Sequence, residues 1–250
     1  YQSWLDPTMT YSSAIRGNSN DSLMDAQIYK YQRIINNIDI KDRNVLEIGC
    51  GWGGFAEEAA NVGASVTGLT ISDQQYDYAK KRLNGNADIL MKDYRKIEGK
   101  YDRIVSIEMF EAVGEKYWKT YFDQIKRLLK KNGRAMVQTI TIHDDVFPGY
   151  RKKSDYIRHH VFPGGMLPSK KVFCNKARAS KLEIGDIFEF GKDYAWTLHE
   201  WKKSFIAQKN QLLANGCSVS FLRSWEFYLS ICIAGFNSER TNVMQVELIN

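Results

Sequence analysis

The chain alternates between short apolar runs and longer stretches in which apolar residues recur every three or four positions. The first pattern is typical of buried strands and the second of helices. The predicted strands are 44–48, 65–70, 87–91, 102–107, 134–140, near 184–190 and near 242–249. The predicted helices are 23–37, one that Gly63 ends, 73–84, 115–131, and roughly 169–182, 197–214 and 219–235.

Regular alternation of strand and helix after residue 44 predicts an α/β fold, with a parallel sheet and helices on both faces. The expected sheet is Rossmann-like and seven-stranded, and its last two strands add an antiparallel element. Prolines and glycines in 143–169 break the alternation and predict a helical and loop insertion over the sheet, reaching to about residue 183. Residues 1–22 are aromatic and polar without a clear period, and predict a lid over a single domain at 23–250.

A glycine-rich turn, Gly49-Cys50-Gly51-Trp52-Gly53-Gly54, joins the first strand to the next helix. Glycines let the backbone approach a ligand closely, and the free amides at a helix start favour polar or anionic groups. The spacing also fits the dinucleotide motif, but the second strand ends in Thr70 where a nicotinamide ribose usually needs an acidic residue. Glu47 lies where a carboxylate can face an ammonium group, so the residues favour S-adenosylmethionine, with NAD as the alternative.

Composition and charge narrow the class of protein and its partners. With 44% hydrophobic and 26% charged residues, the 250-residue chain is expected to fold throughout. It has no run long enough for a transmembrane helix and no signal peptide, which predicts a cytoplasmic protein. The four cysteines are scattered and are interpreted as reduced thiols, and the four histidines form no ligand set, so no metal site is predicted.

The net charge of +6 is compatible with a nucleic acid or an anionic membrane surface as partner. The basic run Arg151-Lys152-Lys153 lies among aromatic residues, a mixture that suits lipid headgroups better than bases. No nucleic-acid motif accompanies it. The expected partner is therefore the inner face of a membrane, and no nucleic-acid partner is predicted.

Further motifs extend the pattern along the chain. They are Leu5-Asp6-Pro7-Thr8-Met9-Thr10-Tyr11-Ser12, 46–54, 68–72, 109–114, 162–169 and 225–229. In this order they cover essentially the whole chain, and they resemble the cyclopropane-fatty-acyl-phospholipid synthases, a family that includes mycolic acid cyclopropane synthases. The resemblance implies a class I methyltransferase core and an amino-terminal domain upstream of the first residue given.

The resemblance also implies an enzyme, an S-adenosylmethionine-dependent C-methyltransferase acting on the double bond of unsaturated fatty acyl chains of phospholipids. The product is expected to be a ring or a methyl-branched chain. A methyltransferase of the same fold acting on a small molecule such as an amine is the alternative. A catalytically inactive scaffold at the membrane is a further alternative, and a homodimer is a candidate assembly.

Cofactor contacts are predicted at the strand ends and in the lid. The resemblance assigns them to Tyr11, Ser12, Gly49, Gly51, Thr70, Ile71, Gln75 and Tyr94. Glu47 and Asp93 are added because they lie at or near strand ends, where ligands of such sheets bind. For Gln75 the alternative is a capping box with Ser72, in which both side chains satisfy helix amides. Tyr94 and Ser12 are equally compatible with ordinary strand-end and loop positions.

Methyl transfer to an alkene needs close alignment, exclusion of water and stabilisation of a carbocation. Aromatic faces can stabilise such a cation without reacting with it. The candidates are Tyr11, Phe110, Phe162, Trp225, Phe227 and Tyr228, each with core packing as the alternative.

The cation must then lose a proton. In relatives the proton goes to a bicarbonate ion held by a Cys, a Glu, a His, a Tyr and a backbone amide. The resemblance matches Glu111, Tyr228 and the backbone of Ile140 to three of these, whereas Ser13 stands for the Cys and Gln138 for the His.

The two substitutions keep hydrogen-bonding capacity but remove ionisable groups. Bicarbonate is therefore a candidate second ligand, and the choice between ring and methyl branch stays open. Deprotonation is expected to depend on Glu111, with Tyr228 orienting the base and Gln138 shaping the pocket. For Glu111 the alternative is an acid that stabilises a helix start.

Overall fold

The computed structural model describes residues 2–250, so Tyr1 of the predicted lid lies outside the described residues. The strands are β1 (Asn44–Ile48), β2 (Ser65–Thr70), β3 (Asp88–Met91), β4 (Tyr101–Ile107), β5 (Leu129–Ile142), β6 (Glu183–Glu189) and β7 (Thr241–Ile249). The α-helices are α1 (Leu23–Asn37), α2 (Gly54–Asn61), α3 (Asp73–Leu83), α4 (Phe110–Val113), α5 (Trp118–Leu128), α6 (Phe147–Lys152), α7 (Lys170–Ala179), α8 (Gly191–Ala207), α9 (Lys209–Ala214) and α10 (Val219–Asn237).

All seven strands form one sheet in the order β3-β2-β1-β4-β5-β7-β6. The first five strands pair in parallel, while β7 pairs antiparallel with both β5 and β6. This mixed sheet confirms the predicted α/β class and its antiparallel element. The strand order reverses between β1 and β4, and ligands of such sheets bind beyond the carboxyl ends at this switch point.

Apolar side chains cover both faces of the sheet. One cluster packs α5 and α7 against β4 and β5, and a second packs α1, α2 and α3 against β1 and β2. A third cluster joins α8 and α10 to residues of the amino-terminal segment, including Trp4 and Ile15. The amino-terminal segment is thus fixed by burial, and it crosses the sheet at the same end as the switch point, where Ser13 meets Glu108 beyond β4.

The helix predicted at 115–131 ends earlier, at Leu128. Leu129 is fully buried and already pairs with Tyr101 of β4, so β5 begins there and not at 134. Asn132 has a φ of 60°, and the chain turns at this point before regular pairing resumes at Arg134. The basic pair 130–131 therefore lies in an irregular start of β5, not in the last helical turn as predicted.

The helix predicted at 197–214 begins earlier and is divided in two. Tyr194, Ala195 and Leu198 are buried, so the apolar face of α8 starts close to Gly191. A Cβ at Gly191 would approach the Asn242 side chain to 2.5 Å, which explains the glycine at a helix start. The last two strands are neighbours in the sheet as predicted, and α8, α9 and α10 lie between them along the chain.

Phe122 provides a test of the core on the α5 face. It is fully buried, with ring centroids 5.4 Å from Phe110 and 5.0 Å from Phe173. We expect Phe122→Ala to lower the free energy of unfolding by about 3–5 kcal/mol, because a large cavity remains. Urea denaturation measures this. Val219→Ala, at a side chain 62% exposed, is the control and should change stability by about 0.5 kcal/mol or less. Equal effects of the two changes would contradict this packing.

Candidate active site

Functional side chains meet at the carboxyl ends of β1, β4 and β5, beneath the amino-terminal segment. Glu47 comes from β1, Gln138 from β5, and Glu108 directly follows β4. Ser13 reaches the same place from the amino-terminal segment and Tyr194 from α8. The switch point of the sheet is therefore lined by carboxylates and their hydrogen-bond donors.

The glycine turn after β1 is held against β2. The amides of Gly49 and Cys50 both donate to the carbonyl of Leu69, at 3.1 and 2.8 Å. Gly49 has a φ of 82°, and a Cβ there would lie 2.8 Å from Cγ of Met109. Gly51 has a φ of 52°, and a Cβ there would meet nothing within 4 Å. Glycine at 49 is thus required by packing, whereas glycine at 51 borders open space that a ligand can use.

Glu47 is a buried carboxylate with an unsatisfied oxygen. The residue is 2% exposed, and its Oε2 has no hydrogen-bond partner. Burial raises the pKa of Glu47 to about 8, with Lys30 and Arg82 acting in the opposite direction. Because buried polar groups are nearly always satisfied, an unpartnered carboxylate oxygen beside the glycine turn fits a ligand that brings a cationic donor.

The end of β2 forms a small polar network. The hydroxyl of Thr70 donates to Oε1 of Gln75 at 2.9 Å and accepts from the amide of Ser72 at 3.2 Å. Ser72 caps α3 through the Gln75 amide, so one half of the capping-box alternative is present. The Gln75 side chain turns to Thr70 and so lies at the strand end. Ile71 is 80% exposed, an unusual setting for isoleucine beside a polar network.

The two residues predicted after β3 have partners within the chain. Both oxygens of the Asp93 carboxylate accept from Arg95, with the closest contact at 2.5 Å. The hydrogen bonds from Arg95 hold the pKa of Asp93 below its usual range. Tyr94 packs edge-on against Tyr121 with ring centroids 5.8 Å apart. Cofactor contact by Asp93 and Tyr94 stays a prediction.

Lys30, which the sequence reasoning missed, connects the two halves of the site. Its side chain is fully buried, and Nζ donates to Oγ of Ser12 at 2.7 Å. Burial lowers the pKa of Lys30 to about 7, while Glu108, Asp6 and Glu47 act to raise it. A lysine on the buried face of α1 is unusual in itself, and this was the signal that the sequence offered.

Glu111 reaches from the short helix α4 across to β5. Its Oε1 accepts from the amide of Ile140 at 2.5 Å and from the hydroxyl of Thr139 at 3.1 Å. Its Oε2 is buried without a partner. Burial, with a further contribution from Glu108, raises the pKa of Glu111 to about 8. The structure thus joins Glu111 to the Ile140 backbone, as two members of the predicted catalytic set.

Glu108 belongs to the segment 108–111 that the sequence places near a ligand-binding strand end, but no role is predicted for it. It takes a left-handed φ of 50°, which directs the chain out of β4. Its Oε1 accepts from the Ser13 amide at 2.9 Å and from Nε2 of Gln138 at 2.8 Å. Its Oε2 accepts from the Tyr194 hydroxyl at 2.6 Å. The signal in the sequence was an acidic residue directly after a buried strand; the prediction singled out only Glu111 in that turn.

A chain of amides fixes which end of Gln138 faces Glu108. Arg33 can only donate, and it donates to Oε1 of Gln245 at 2.6 Å. The Gln245 amide nitrogen therefore faces Oε1 of Gln138, at 3.0 Å. The nitrogen of Gln138 is left to donate to the Glu108 carboxylate. The orientation of Gln138 is thus set from the surface of α1.

Four of the predicted aromatic residues come together in one group. The Tyr11 and Tyr228 hydroxyls lie 3.2 Å apart, and the Tyr228 ring packs with Trp225 and Phe162 at centroid distances of 5.0 and 5.9 Å. Phe227 is 52% exposed and packs on Tyr156. The sixth candidate, Phe110, is fully buried among Trp118, Tyr121, Phe122 and Phe173, so it is a core residue.

Comparison with known proteins gives a match along nearly the whole chain. A family model described as mycolic acid cyclopropane synthetase matches residues 1–246. The chain is 36% identical over 250 residues to the cyclopropane-fatty-acyl-phospholipid synthase of Escherichia coli K12, covering 97% of this chain and 62% of that protein. It is 33% identical over 263 residues to the tuberculostearic acid methyltransferase UfaA1 of Mycobacterium tuberculosis, covering 100% of this chain and 62% of that protein.

Solved structures agree with these relatives. The mycolic acid cyclopropane synthase CmaA1 complexed with SAH and CTAB superposes with a TM-score of 0.93 at 27% identity, covering 100% of this chain and 93% of that one. The cyclopropane synthase MmaA2 from Mycobacterium tuberculosis has the same TM-score at 25% identity. The chain spans 62% of the length of the two curated relatives named above.

The raised pKa of Glu47, about 8 against an ordinary value of 4.5, makes a prediction about stability. Between these values the native state holds a proton that the unfolded chain has released, so stability falls as pH rises. Glu47→Gln keeps the shape without the charge. We expect its free energy of unfolding to match the wild type near pH 5 and to exceed it by roughly 2–4 kcal/mol above pH 8.

Urea unfolding at several pH values measures the difference between Glu47→Gln and the wild type. The exposed Glu98→Gln is the matched control, and it should change stability by about 0.5 kcal/mol or less. A difference for Glu47→Gln that does not change with pH would show that Glu47 is ionised in the native protein.

Proposed function

We propose that this chain, which belongs to the mycolic acid cyclopropane synthetase family, transfers the methyl group of S-adenosylmethionine to the double bond of an unsaturated fatty acyl chain of a phospholipid. The observation that carries the proposal is that two buried glutamates lie at the same switch point of the sheet. Glu47, whose buried Oε2 has no hydrogen-bond partner, adjoins the glycine turn, and Glu111, whose Oε2 likewise has none, is held by the Ile140 amide of β5. Glu47 is suited to bind an ammonium group, and Glu111 is suited to accept a proton.

The residues present fit S-adenosylmethionine. Oε2 of Glu47 is available to its ammonium group, the space beside Gly51 to its amino-acid portion, and the exposed side chain of Ile71 to its apolar parts. When bound, it supplies an electrophilic methyl group on a sulfonium. We assign the remaining cofactor contacts to the residues predicted from the sequence. They are Tyr11, Ser12, Gly49, Thr70, Gln75, Asp93 and Tyr94.

The chain's own side chains supply what methyl transfer to an alkene needs. The rings of Tyr11, Tyr228, Trp225 and Phe162 offer apolar faces to an acyl chain and stabilise positive charge next to them. Their packing also excludes water, which would otherwise capture a carbocation. Loss of a proton from the cation needs a base, and we assign this dependence to Glu111. Its raised pKa lies close to neutral pH, where a general base is most effective.

We also propose that the amino-terminal segment acts as a lid and that residues 143–183 form the insertion above the sheet. Two contacts support the lid. The amide of Ser13 donates to Glu108, and the amide of Ala14 donates to Oγ1 of Thr197 at 3.1 Å, so the segment bridges β4 and α8. The homodimer and the cytoplasmic location stay predictions from the sequence.

A peripheral position at the membrane is part of the proposal. Among the described residues, no helix has the length and hydropathy that crossing a bilayer requires. Exposed apolar side chains are concentrated between the end of α8 and the middle of α10. They are Ile206, Leu213, Val219, Phe221 and Phe227. Phe227 and Tyr228 are neighbours in α10, so this surface adjoins the aromatic residues of the site. An acyl chain could thus pass from a bilayer to the site without crossing water.

The first test is a lipid assay. Purified protein, vesicles of monounsaturated phosphatidylglycerol and S-adenosylmethionine should give acyl chains heavier by one CH₂ unit, measured by mass spectrometry. Glu111→Gln should lower the rate by at least about 100-fold, because the base is lost, while calorimetry shows unchanged S-adenosylmethionine binding. Glu115→Gln, which breaks only a surface ion pair with Arg151, is the control and should stay within about twofold.

Three results would count against this function. Unchanged turnover by Glu111→Gln would remove Glu111 from the reaction. Methylation of amines with none of lipids would support the small-molecule alternative. Binding of NADH with no binding of S-adenosylmethionine would support a dehydrogenase.

The membrane surface has a separate test. The double variant Val219→Ser, Phe221→Ser should bind anionic vesicles about tenfold more weakly in co-sedimentation, because two exposed apolar side chains no longer insert. Leu90→Ser is the matched control, since it removes an exposed leucine from β3 at the far edge of the sheet. Equal binding by the double variant and the wild type would exclude this surface as the point of contact.

A further inference from the structure

The Glu108 carboxylate is enclosed by donors from three separate parts of the chain. They are the amide of Ser13 in the amino-terminal segment, Nε2 of Gln138 in β5 and the hydroxyl of Tyr194 in α8. All three distances lie between 2.6 and 2.9 Å. Convergence of this kind is what a protein builds around an anion. Here the anion is part of the protein.

Two of these donors belong to residues that were predicted to hold an external anion. Ser13 and Gln138 are positions that the resemblance assigned to bicarbonate, and the Ser13 backbone amide and the Gln138 side chain both donate to Oε1 of Glu108. The Ser13 hydroxyl donates instead to the carbonyl of Ala14 at 3.0 Å. The third predicted donor, the amide of Ile140, is used by Oε1 of Glu111. Three of the four predicted donor positions are therefore occupied by two side-chain carboxylates, whereas the hydroxyl at the fourth, Tyr228, faces that of Tyr11. A carboxylate also has the planar O–C–O end of bicarbonate, so it satisfies the same donors.

The amide chain described above makes the Gln138 contact obligatory. With Arg33 donating to Gln245 and Gln245 donating to Gln138, the Gln138 nitrogen must face an acceptor. Among the described residues the acceptor at closest reach is Glu108, at 2.8 Å, whereas the Ser13 carbonyl lies at 3.4 Å. Removing the Glu108 carboxylate would leave several buried donors without an acceptor.

Glu108 and Glu111 also interact electrostatically as neighbours in one buried site. Burial raises the pKa of both carboxyls, and the proximity of Glu108 raises that of Glu111 further. Two like charges so placed oppose each other's ionisation. Three hydrogen bonds and the charge of Lys30 favour ionisation at Glu108. Oε2 of Glu111 has no donor, so it is the oxygen of the pair that is free to accept a proton.

We infer, on the basis of the proposed function, that Glu108 takes the place of an external bicarbonate ion and forms with Glu111 the base of the reaction. The step balances within the chain and its substrates. Once the acyl carbocation exists, a C–H bond breaks and its electron pair forms a new bond to the positive carbon. Loss of the proton from the transferred methyl group closes the ring, whereas loss from a carbon adjacent to the positive one gives a double bond. The proton passes to the Glu111 carboxylate, which becomes neutral. No oxidant, reductant or further anion is needed.

The inference predicts turnover without bicarbonate. In buffer freed of carbon dioxide, wild-type methylation of lipid vesicles should agree within about twofold with and without added bicarbonate. Glu108→Gln should lower the methylation rate at least about 100-fold. Added bicarbonate should not restore this rate, because the amide side chain fills the space of the carboxylate. Glu108→Gly opens that space, and glycine accepts the φ of 50° without strain. Its low activity should rise at least about tenfold with bicarbonate.

A binding measurement tests the same inference independently of the reaction. Titration with ¹³C-labelled bicarbonate, followed by NMR, should show no saturable binding to the wild type and saturable binding to Glu108→Gly. Glu239→Gly is the matched control, because Glu239 has a similar φ of 57° but lies in an exposed turn before β7. That variant should behave as the wild type in both activity and binding.

The outcomes separate the two proposals. If the wild type methylates no acyl chain, the proposed function is wrong, and the binding experiment still decides the role of Glu108. Saturable binding of bicarbonate by the wild type would overturn the inference, as would stimulation of wild-type turnover by bicarbonate. Wild-type activity in Glu108→Gln, or a Glu108→Gly variant that binds no bicarbonate, would overturn it too. Retained S-adenosylmethionine binding in both variants shows that they are folded.

Discussion

The structure depends on keeping three carboxylates and one lysine out of water at the switch point of the sheet. Glu47, Glu108 and Glu111 lie around the ends of β1, β4 and β5, and Lys30 lies between Glu47 and Glu108. Burial of charge is unfavourable unless each group finds a partner or changes its protonation state. Glu108 has three hydrogen-bond donors. Glu47 and Glu111 each keep one oxygen without a partner, and burial raises the pKa of both. The site is thus stabilised only in part by its own contacts, which leaves room for the ligands that complete it.

This constraint explains why distant segments meet. The Ser13 amide can reach Glu108 only if the amino-terminal segment crosses the sheet, and Trp4 and Ile15 anchor that crossing in the cluster of α8 and α10. Tyr194 comes to Glu108 from α8 of the same cluster. The amino-terminal segment, the helices between the last two strands and the end of β4 are therefore all in contact with one carboxylate or with the cluster that supports it. A change in any of these regions therefore alters the surroundings of the proposed base.

In the proposed chemistry the two sides of the switch point have different roles. The side of β1 and β2, with its glycine turn and Glu47, has the features of a site for a polar, cationic cofactor. The side of β4 and β5 carries the carboxylate pair. Tyr194, which donates to Glu108, lies in the same apolar cluster as Tyr11 and Tyr228. Apolar surface at 206–227 continues from these rings to the outside of the molecule. A methyl donor and a lipid chain can thus approach from different directions and meet where water is excluded.

The sequence by itself determined the α/β class, the seven strands, the glycine turn and the family resemblance, because these depend on local periodicity and on residues adjacent in the chain. It also placed Glu111 and Gln138 at strand ends. It did not determine the start of β5, because pairing of Leu129 with Tyr101 is a contact between elements that overrides the helical pattern. Nor did it identify Glu108 and Lys30 as members of the site. Their roles follow from donors that lie far away along the chain, and only the tertiary structure decides which buried charges face one another.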